Sequence, residues 1–166
     1  QGAASTFLYD VLRRVSAAFG KDYDAAVAGS LMLSCDNAHA IHPNHPEYAD
    51  KNHHVRMNGG VVVKYNANQR YTTDAWSAAL FRVICARAGV PVQLYANRAD
   101  MPGGSTLGNI ANTQVSLPTV DIGAAQLAMH SAYETMGARD LDSLVRVMTA
   151  YFGRTPRRNA GAMQLV

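Results

Sequence analysis

Apolar residues recur at helical spacing near the start of the chain. Phe7, Leu8, Val11, Leu12 and Val15 share one face, and Asp10, Arg13 and Arg14 take the other, which predicts a helix from Thr6 to Phe19. Ser5 or Thr6 can cap it and Gly20 can end it. Ala25 to Ala28 add a short helical turn. The period then changes. Leu31 to Asp36 read as a short buried strand, and so do Val61-Val62-Val63-Lys64-Tyr65 within Gly60 to Asn66, Val90 to Ala96, and Leu117 to Ile122. Thr73 to Ala88 form a helix with Trp76, Leu80, Val83 and Ile84 on one stripe, closed by Gly89. Another helix starts at Ser105. Leu141 to Phe152 make a last amphipathic helix with Leu141, Leu144, Val145 and Met148 inward. Gly153 to Val166 form a tail with a small basic cluster, Arg154, Arg157 and Arg158, read as solvated.

Strands alternating with helices predict a layered α/β domain. The polar residues collect at strand ends: Asp36, Lys64, Asp100 and His130. In open α/β sheets a ligand lies at such ends. The stretch from Ser34 to Asn44 concentrates the chemistry, because a buried strand there runs into Asp36, His39 and His42 before the turn at Pro43-Asn44. A carboxylate with imidazoles at a sheet edge is a donor set for a hydrolytic metal site. The same residues also serve in ordinary loops, where they satisfy backbone groups.

Residues 42 to 60 read as a long polar loop with His42, His45, His53 and His54. They lack the paired spacings of a structural zinc site. Gly103-Gly104-Ser105-Thr106-Leu107-Gly108 has the glycines of a phosphate loop. No lysine follows the last glycine, and the dinucleotide fingerprint fails as well.

Composition narrows the classes. With 166 residues, 48% apolar and 16% charged, the chain is one domain's worth with enough apolar residues for a core. A net charge of +3 with scattered basic residues argues against nucleic acid. No window is apolar for long enough to span a bilayer, and no signal peptide opens the chain, so no membrane partner is expected. Cys35 and Cys85 lie in apolar contexts and read as buried free thiols, which fits a reducing, cytoplasmic setting. The chain opens at Gln1 with no initiator Met, as a processed product or a fragment would.

Four blocks, in order, carry a family resemblance. Ser34-Cys35-Asp36-Asn37-Ala38-His39-Ala40-Ile41-His42-Pro43-Asn44 resembles the Asp-x-Ala-His-x-x-His-Pro-Asn motif of the M18 aspartyl aminopeptidases. The stretch from Lys64 to Thr73 resembles that family's Lys-x-Asn-x-x-Gln-Arg-Tyr-Ala-Thr. Asp100 to Gly108 is similar to its Cys-Gly-Ser-Thr-Ile-Gly segment, with Gly103 where the family has Cys. Thr119 to Gly123, on through Met129-His130-Ser131, is similar to its closing block.

The resemblance implies a layered α/β/α zinc-peptidase domain with a mixed sheet, incomplete in this chain. Residues 1–152 would be the C-terminal part of the catalytic domain and residues 153–166 a tail. It implies two zinc ions, removal of acidic N-terminal residues from peptides, and a dodecameric homo-oligomer. By position, Asp36 and His130 would each bind zinc, and His39, Lys64 and Tyr71 would contact substrate. The family's His-x-Asp motif, bridging Asp and Glu-Glu pair are not found before Asp36. No catalytic residue is therefore assigned here, and the general-base glutamate is expected upstream. A non-catalytic chain that only folds or associates stays open, as does a specificity for neutral or basic N-termini.

Overall fold

The computed structural model describes residues 2–154, together with the backbone of 156–159 and 162–165. A mixed four-stranded sheet organises it. β1 (Met32–Cys35), β3 (Val61–Tyr65), β4 (Val92–Ala96) and β5 (Thr119–Gly123) stand in the order β1-β5-β3-β4. β1 runs parallel to β5 and β3 parallel to β4; β3 and β5 are antiparallel. The ladder from β1 and β5 continues past a break. β2 (Ala38–His39) pairs parallel with β6 (Ala125–Leu127), and β7 (Thr135–Met136) closes this smaller sheet.

β3 is covered on both faces, as its run of valines requires. Val61 and Val63 face one cluster with Phe81, Ile84, Val120, Ile122 and Val147. Val62 faces the other, with Val55, Tyr71 and Tyr95. The two-residue period therefore puts Lys64 on the side of Val62. Lys64 is the fourth residue of a five-residue strand and only 1% exposed, so the expected strand-end lysine is an interior one.

α3 (Ala75–Ala88) begins at a capping box: Asp74 Oδ1 accepts from Ser77 N–H (2.7 Å), and Ser77 Oγ accepts from Asp74 N–H (3.1 Å). Gly89 ends it in the left-handed region at φ 63°. Its inner face is Ser77, Ala78, Leu80, Phe81, Ile84 and Cys85, while Trp76 and Val83 are exposed. The expected stripe was thus turned about one position from the real one. α5 (Ala138–Phe152) differs in the same way. Asp140, Ser143 and Val147 are buried, Leu144 and Met148 pack at the core's edge, and Leu141 and Val145 face out. α1 (Phe7–Ala18) has no buried residue at all. It leans on α2 (Tyr23–Ala28) through an edge-to-face pair, Tyr9 with Tyr23, at 5.4 Å. α4 (Leu107–Ala111) is a single short turn before β5.

Cys85 is buried as expected, but Cys35 is exposed because β1 ends there and leaves the sheet. The tail has strand backbone: β8 (Pro156–Asn159) and β9 (Ala162–Leu165) pair antiparallel. The side chains of Arg157 and Arg158 lie outside the described residues. Among those described, no helix is long and apolar enough to cross a membrane.

Candidate functional site

The break between β1 and β2 makes the site. Asp36 N–H still donates to Ile122 O, and Ala38 N–H to Ala124 O, so the chain stays laddered to β5 and β6 while Asp36 turns out. Gly123 allows this close approach, since a Cβ there would stand 1.8 Å from Asp36 O. Lys64 secures the turn from below. Its Nζ donates to Asp36 O (3.0 Å) and, weakly, to Asn37 O (3.4 Å), and it lies 5.1 Å from the centre of the Tyr71 ring. Burial pulls the Lys64 pKa down, while the charges of Asp36 and Asp121 oppose that fall.

Asp36 and His39 are both exposed on this rim. Asp36 Oδ1 accepts from Asn37 N–H (2.9 Å), which leaves Oδ2 uncommitted. His130 arrives from the turn after β6. Its backbone lies in the left-handed region (φ 68°), as does Ala128 (φ 54°), and its N–H donates to Glu134 Oε1 (2.6 Å). Two non-glycine residues in that region, two positions apart, store strain in this turn. The His130 ring has no hydrogen-bond partner among the described residues. Burial, then the neighbouring His130 and Lys64, hold the His39 pKa below its usual value, against the pull of Asp36. His39 is thus within electrostatic reach of both expected metal ligands.

Tyr71 is buried against Tyr95, with ring centres 6.3 Å apart. Burial raises its pKa strongly, so it is a neutral donor. The expected residues therefore form one linked group: Lys64 touches the Asp36 backbone and the Tyr71 ring, and His39 lies within electrostatic reach of Asp36, Lys64 and His130. Asp36, His39 and His130 are open to solvent, and Lys64 and Tyr71 are enclosed.

A cleft of about 290 Å³ opens from His39, walled by His42, His45, Tyr48, His53 and Arg98. Its histidines are partly engaged: His45 with Glu47 (3.0 Å) and His53 with Asp50 (2.7 Å). Arg98 donates to Glu47 O and pairs with Asp100 (2.7 Å), which fastens the loop to the exit of β4. A larger groove of about 570 Å³, along Tyr65, Asn66, Asp74 and Arg82, holds none of the five residues.

Reasoning from the sequence missed two buried carboxylates. Asp121 is fully buried and takes three hydrogen bonds from Thr72 and Thr106. Asp140, also fully buried, accepts from Asn58 N–H (2.6 Å) and Gly60 N–H (2.9 Å), so it fastens the end of the long loop to α5. For Asp121 a signal existed, a carboxylate inside an apolar strand, Thr119-Val120-Asp121-Ile122.

The family model described as "Aminopeptidase I zinc metalloprotease (M18)" matches residues 1–152. The chain belongs to the M18 family of aminopeptidases. The "Probable M18 family aminopeptidase 2" of Mycobacterium leprae is 47% identical over 155 residues, covering 92% of this chain and 36% of that protein. The protein of the same description from Ectopseudomonas mendocina is 46% identical, with 91% and 35% covered. Among solved structures, yeast aminopeptidase 1 superposes with a TM-score of 0.82 at 32% identity, covering 92% of this chain and 34% of that one. A structure described as the S. cerevisiae mApe1 dodecamer gives 0.81 at 31%, with 92% and 34% covered. This M18 chain therefore spans about a third of the length of the relatives it matches.

The donors fit a zinc ion as a partial set. Asp36 offers a free carboxylate oxygen and His130 an unpartnered imidazole, hard and borderline donors of the kind zinc takes. Among the described residues no group of three or more ligands comes together. The rest of any coordination shell would have to come from elsewhere.

Proposed function

We propose that this chain supplies the substrate-side half of a two-zinc aminopeptidase centre, which in the complete protein removes acidic residues from peptide N-termini. The observation that carries the reading is the paired uncommitted donors, Asp36 Oδ2 and the His130 ring, on one rim above a buried ammonium. When bound, zinc would supply the Lewis acidity that polarises the scissile carbonyl. Asp36 and His130 would be terminal ligands. His39, its charge disfavoured by its surroundings, would meet the substrate as a neutral imidazole. Tyr71 would present a neutral hydroxyl to a carbonyl or carboxylate oxygen.

Lys64 supports the acidic preference. A lysine ammonium has three N–H donors, and two are turned to Asp36 O and Asn37 O, which leaves one positive N–H under the rim. Its charge sits in a low-dielectric wall, where attraction for a carboxylate is stronger than in water. Loss of a charge-assisted contact costs about 1.5–3 kcal/mol, or roughly ten- to a hundredfold in rate. The test is Lys64→Met in the complete protein, with kcat/KM measured for aspartyl, alanyl and lysyl substrates. A fall confined to the aspartyl substrate is expected. An equal fall for all three would leave Lys64 a support and remove the acidic specificity. Wild-type preference for the alanyl or lysyl substrate would establish the neutral or basic alternative.

A dodecamer belongs to the same proposal, by likeness to the yeast enzyme's described assembly. Light scattering of active full-length protein should show an oligomer, and a fully active monomer would remove the idea.

A further inference from the structure

We infer that Asp121 is a positioning residue, whose buried carboxylate ties the segment after β3, residues 66–74, and the glycine-rich segment before α4, residues 103–108, to the central sheet. Thr72 donates to its Oδ2 through both N–H (2.6 Å) and Oγ–H (2.8 Å), and Thr106 Oγ–H donates to Oδ1 (2.6 Å). Asp121 N–H donates in turn to Thr73 Oγ (2.9 Å). One carboxylate thus fixes the segment that carries Tyr71 on one side and the glycine-rich segment on the other.

The packing around it has no slack. Gly108 N–H donates to Ser34 Oγ (2.8 Å), and Ser34 pairs with Asp121 across β1 and β5. A Cβ on Gly108 would stand 2.7 Å from Ser34 Cβ and 2.9 Å from Thr72 Oγ. The glycine-rich segment is therefore bare at 108 because the backbone itself seats on this network. That is a structural account of Gly108, one of the glycines that otherwise suggest a phosphate loop.

Asp121 also faces Lys64. β3 and β5 pair as Val62 with Gly123 and Val63 with Ile122, and one step further along the register sets Lys64 against Asp121. A buried cation needs a nearby anion. Asp36 and Asp121 both meet that need, and Asp121 does so from within the sheet without consuming the ammonium, whose hydrogen bonds go to Asp36 O and Asn37 O. The order of support runs from Asp121 to Lys64, and from Lys64 to the turn that presents Asp36.

Asp140 provides the control: a second fully buried carboxylate, held by the backbone N–H groups of Asn58 and Gly60 and sharing no hydrogen-bond partner with Asp121. The experiment compares full-length wild type, Asp121→Asn, Thr72→Val, Thr106→Val and Asp140→Asn by amide hydrogen exchange, zinc content and steady-state kinetics. Asp121→Asn keeps the shape but loses the charge, and neutral hydrogen bonds are weaker. It should speed exchange in both 66–74 and 103–108. Thr72→Val should loosen only 66–74, and Thr106→Val only 103–108. Asp140→Asn should loosen 58–60 and leave 66–74 and 103–108 unchanged. The activity arm rests on the aminopeptidase reading: Asp121→Asn should lower kcat roughly a hundredfold, with zinc content unchanged and KM little moved. Asp140→Asn, assayed below its melting point, should keep wild-type kcat.

Unchanged exchange in both segments for Asp121→Asn would overturn the inference. So would activity in Asp121→Asn and Asp140→Asn that falls only in step with the folded fraction. If Asp121→Asn does not fold, the two threonine variants decide it through their separate segments. If wild type has no aminopeptidase activity, the proposed function falls and the exchange arm still decides the role of Asp121.

Discussion

α1 and α3 are both apolar on one face, and they end in opposite situations. α3 lays Phe81, Ile84 and Cys85 on the sheet and closes the core with Val61, Val63, Val120 and Ile122. α1 presents Phe7, Val11, Val15 and Phe19 to solvent, with Phe7 72% and Phe19 74% exposed. Apolar periodicity therefore marks a face that wants cover, and says nothing of whether the cover lies in the same chain. The site divides the same way. The supports Lys64, Tyr71 and Asp121 are complete within this chain, whereas Asp36 and His130 hold donor atoms out with no third ligand among the described residues.

The largest test of that contrast is activity. The isolated 166-residue chain should show no zinc-dependent hydrolysis of an aspartyl anilide, because a two-metal site needs a bridging ligand and a base. The full-length protein should hydrolyse it, and Asp36→Ala or His130→Ala in that protein should lose activity together with zinc. Turnover by pure isolated chain would mean that the rim is already whole.

The next test is stability, read by urea unfolding. In the isolated chain Phe81→Ala should cost about 3–5 kcal/mol, because its ring lies fully inside the core. Phe7→Ala and Phe19→Ala should stay within about 0.5 kcal/mol. In full-length protein the last two sharpen the comparison. A cost of about 2 kcal/mol or more for either would show that the remaining polypeptide covers α1, and a continued null effect would show that the face stays bare there too.

How much of this was legible depended on whether the cause was local. The strands at 31–36, 61–65, 90–96 and 117–122 follow from runs of Val, Leu and Ile, and the mixed α/β layering follows from their alternation with helices. The inward faces of α3 and α5 were misjudged by about one residue. Small and polar residues such as Ser77, Asp140 and Ser143 are buried there, while Trp76, Val83, Leu141 and Val145 are not. Hydrophobicity cannot foresee a buried aspartate whose partners, Asn58 and Gly60, lie about eighty positions away. For the candidate site, residue chemistry singled out Asp36, Lys64 and His130 at strand ends, with His39 beside Asp36, and the family resemblance gave them roles and added Tyr71. The left-handed backbone at His130 and the convergence of Thr72 and Thr106 on Asp121 are tertiary facts, with no local signature beyond one carboxylate in an apolar strand.

The two cysteines repeat the comparison at the smallest scale. Cys35 stands at the exposed end of β1, beside the rim, and Cys85 lies on the inner face of α3. Burial pushes the Cys85 thiol up to about 12 from an ordinary value near 9. Partial burial raises the Cys35 thiol as well, with Lys64 opposing the shift and Asp36 adding to it. A thiol reagent should therefore modify Cys35 in the folded chain and reach Cys85 only on unfolding. The sign of the pH dependence follows from the raised value. The unfolded chain loses the Cys85 proton first, so its contribution to stability is full below about pH 9 and falls as pH climbs toward 12. The slope from one such group is at most about 1.4 kcal/mol per pH unit. Urea midpoints compared between wild type and Cys85→Ala, from about pH 8 to about pH 10, should show a steeper alkaline loss in wild type. Parallel curves would mean that Cys85 is deprotonated as readily in the fold as outside it, and that the space under α3 is less closed than its packing against Phe81 and Ile84 requires.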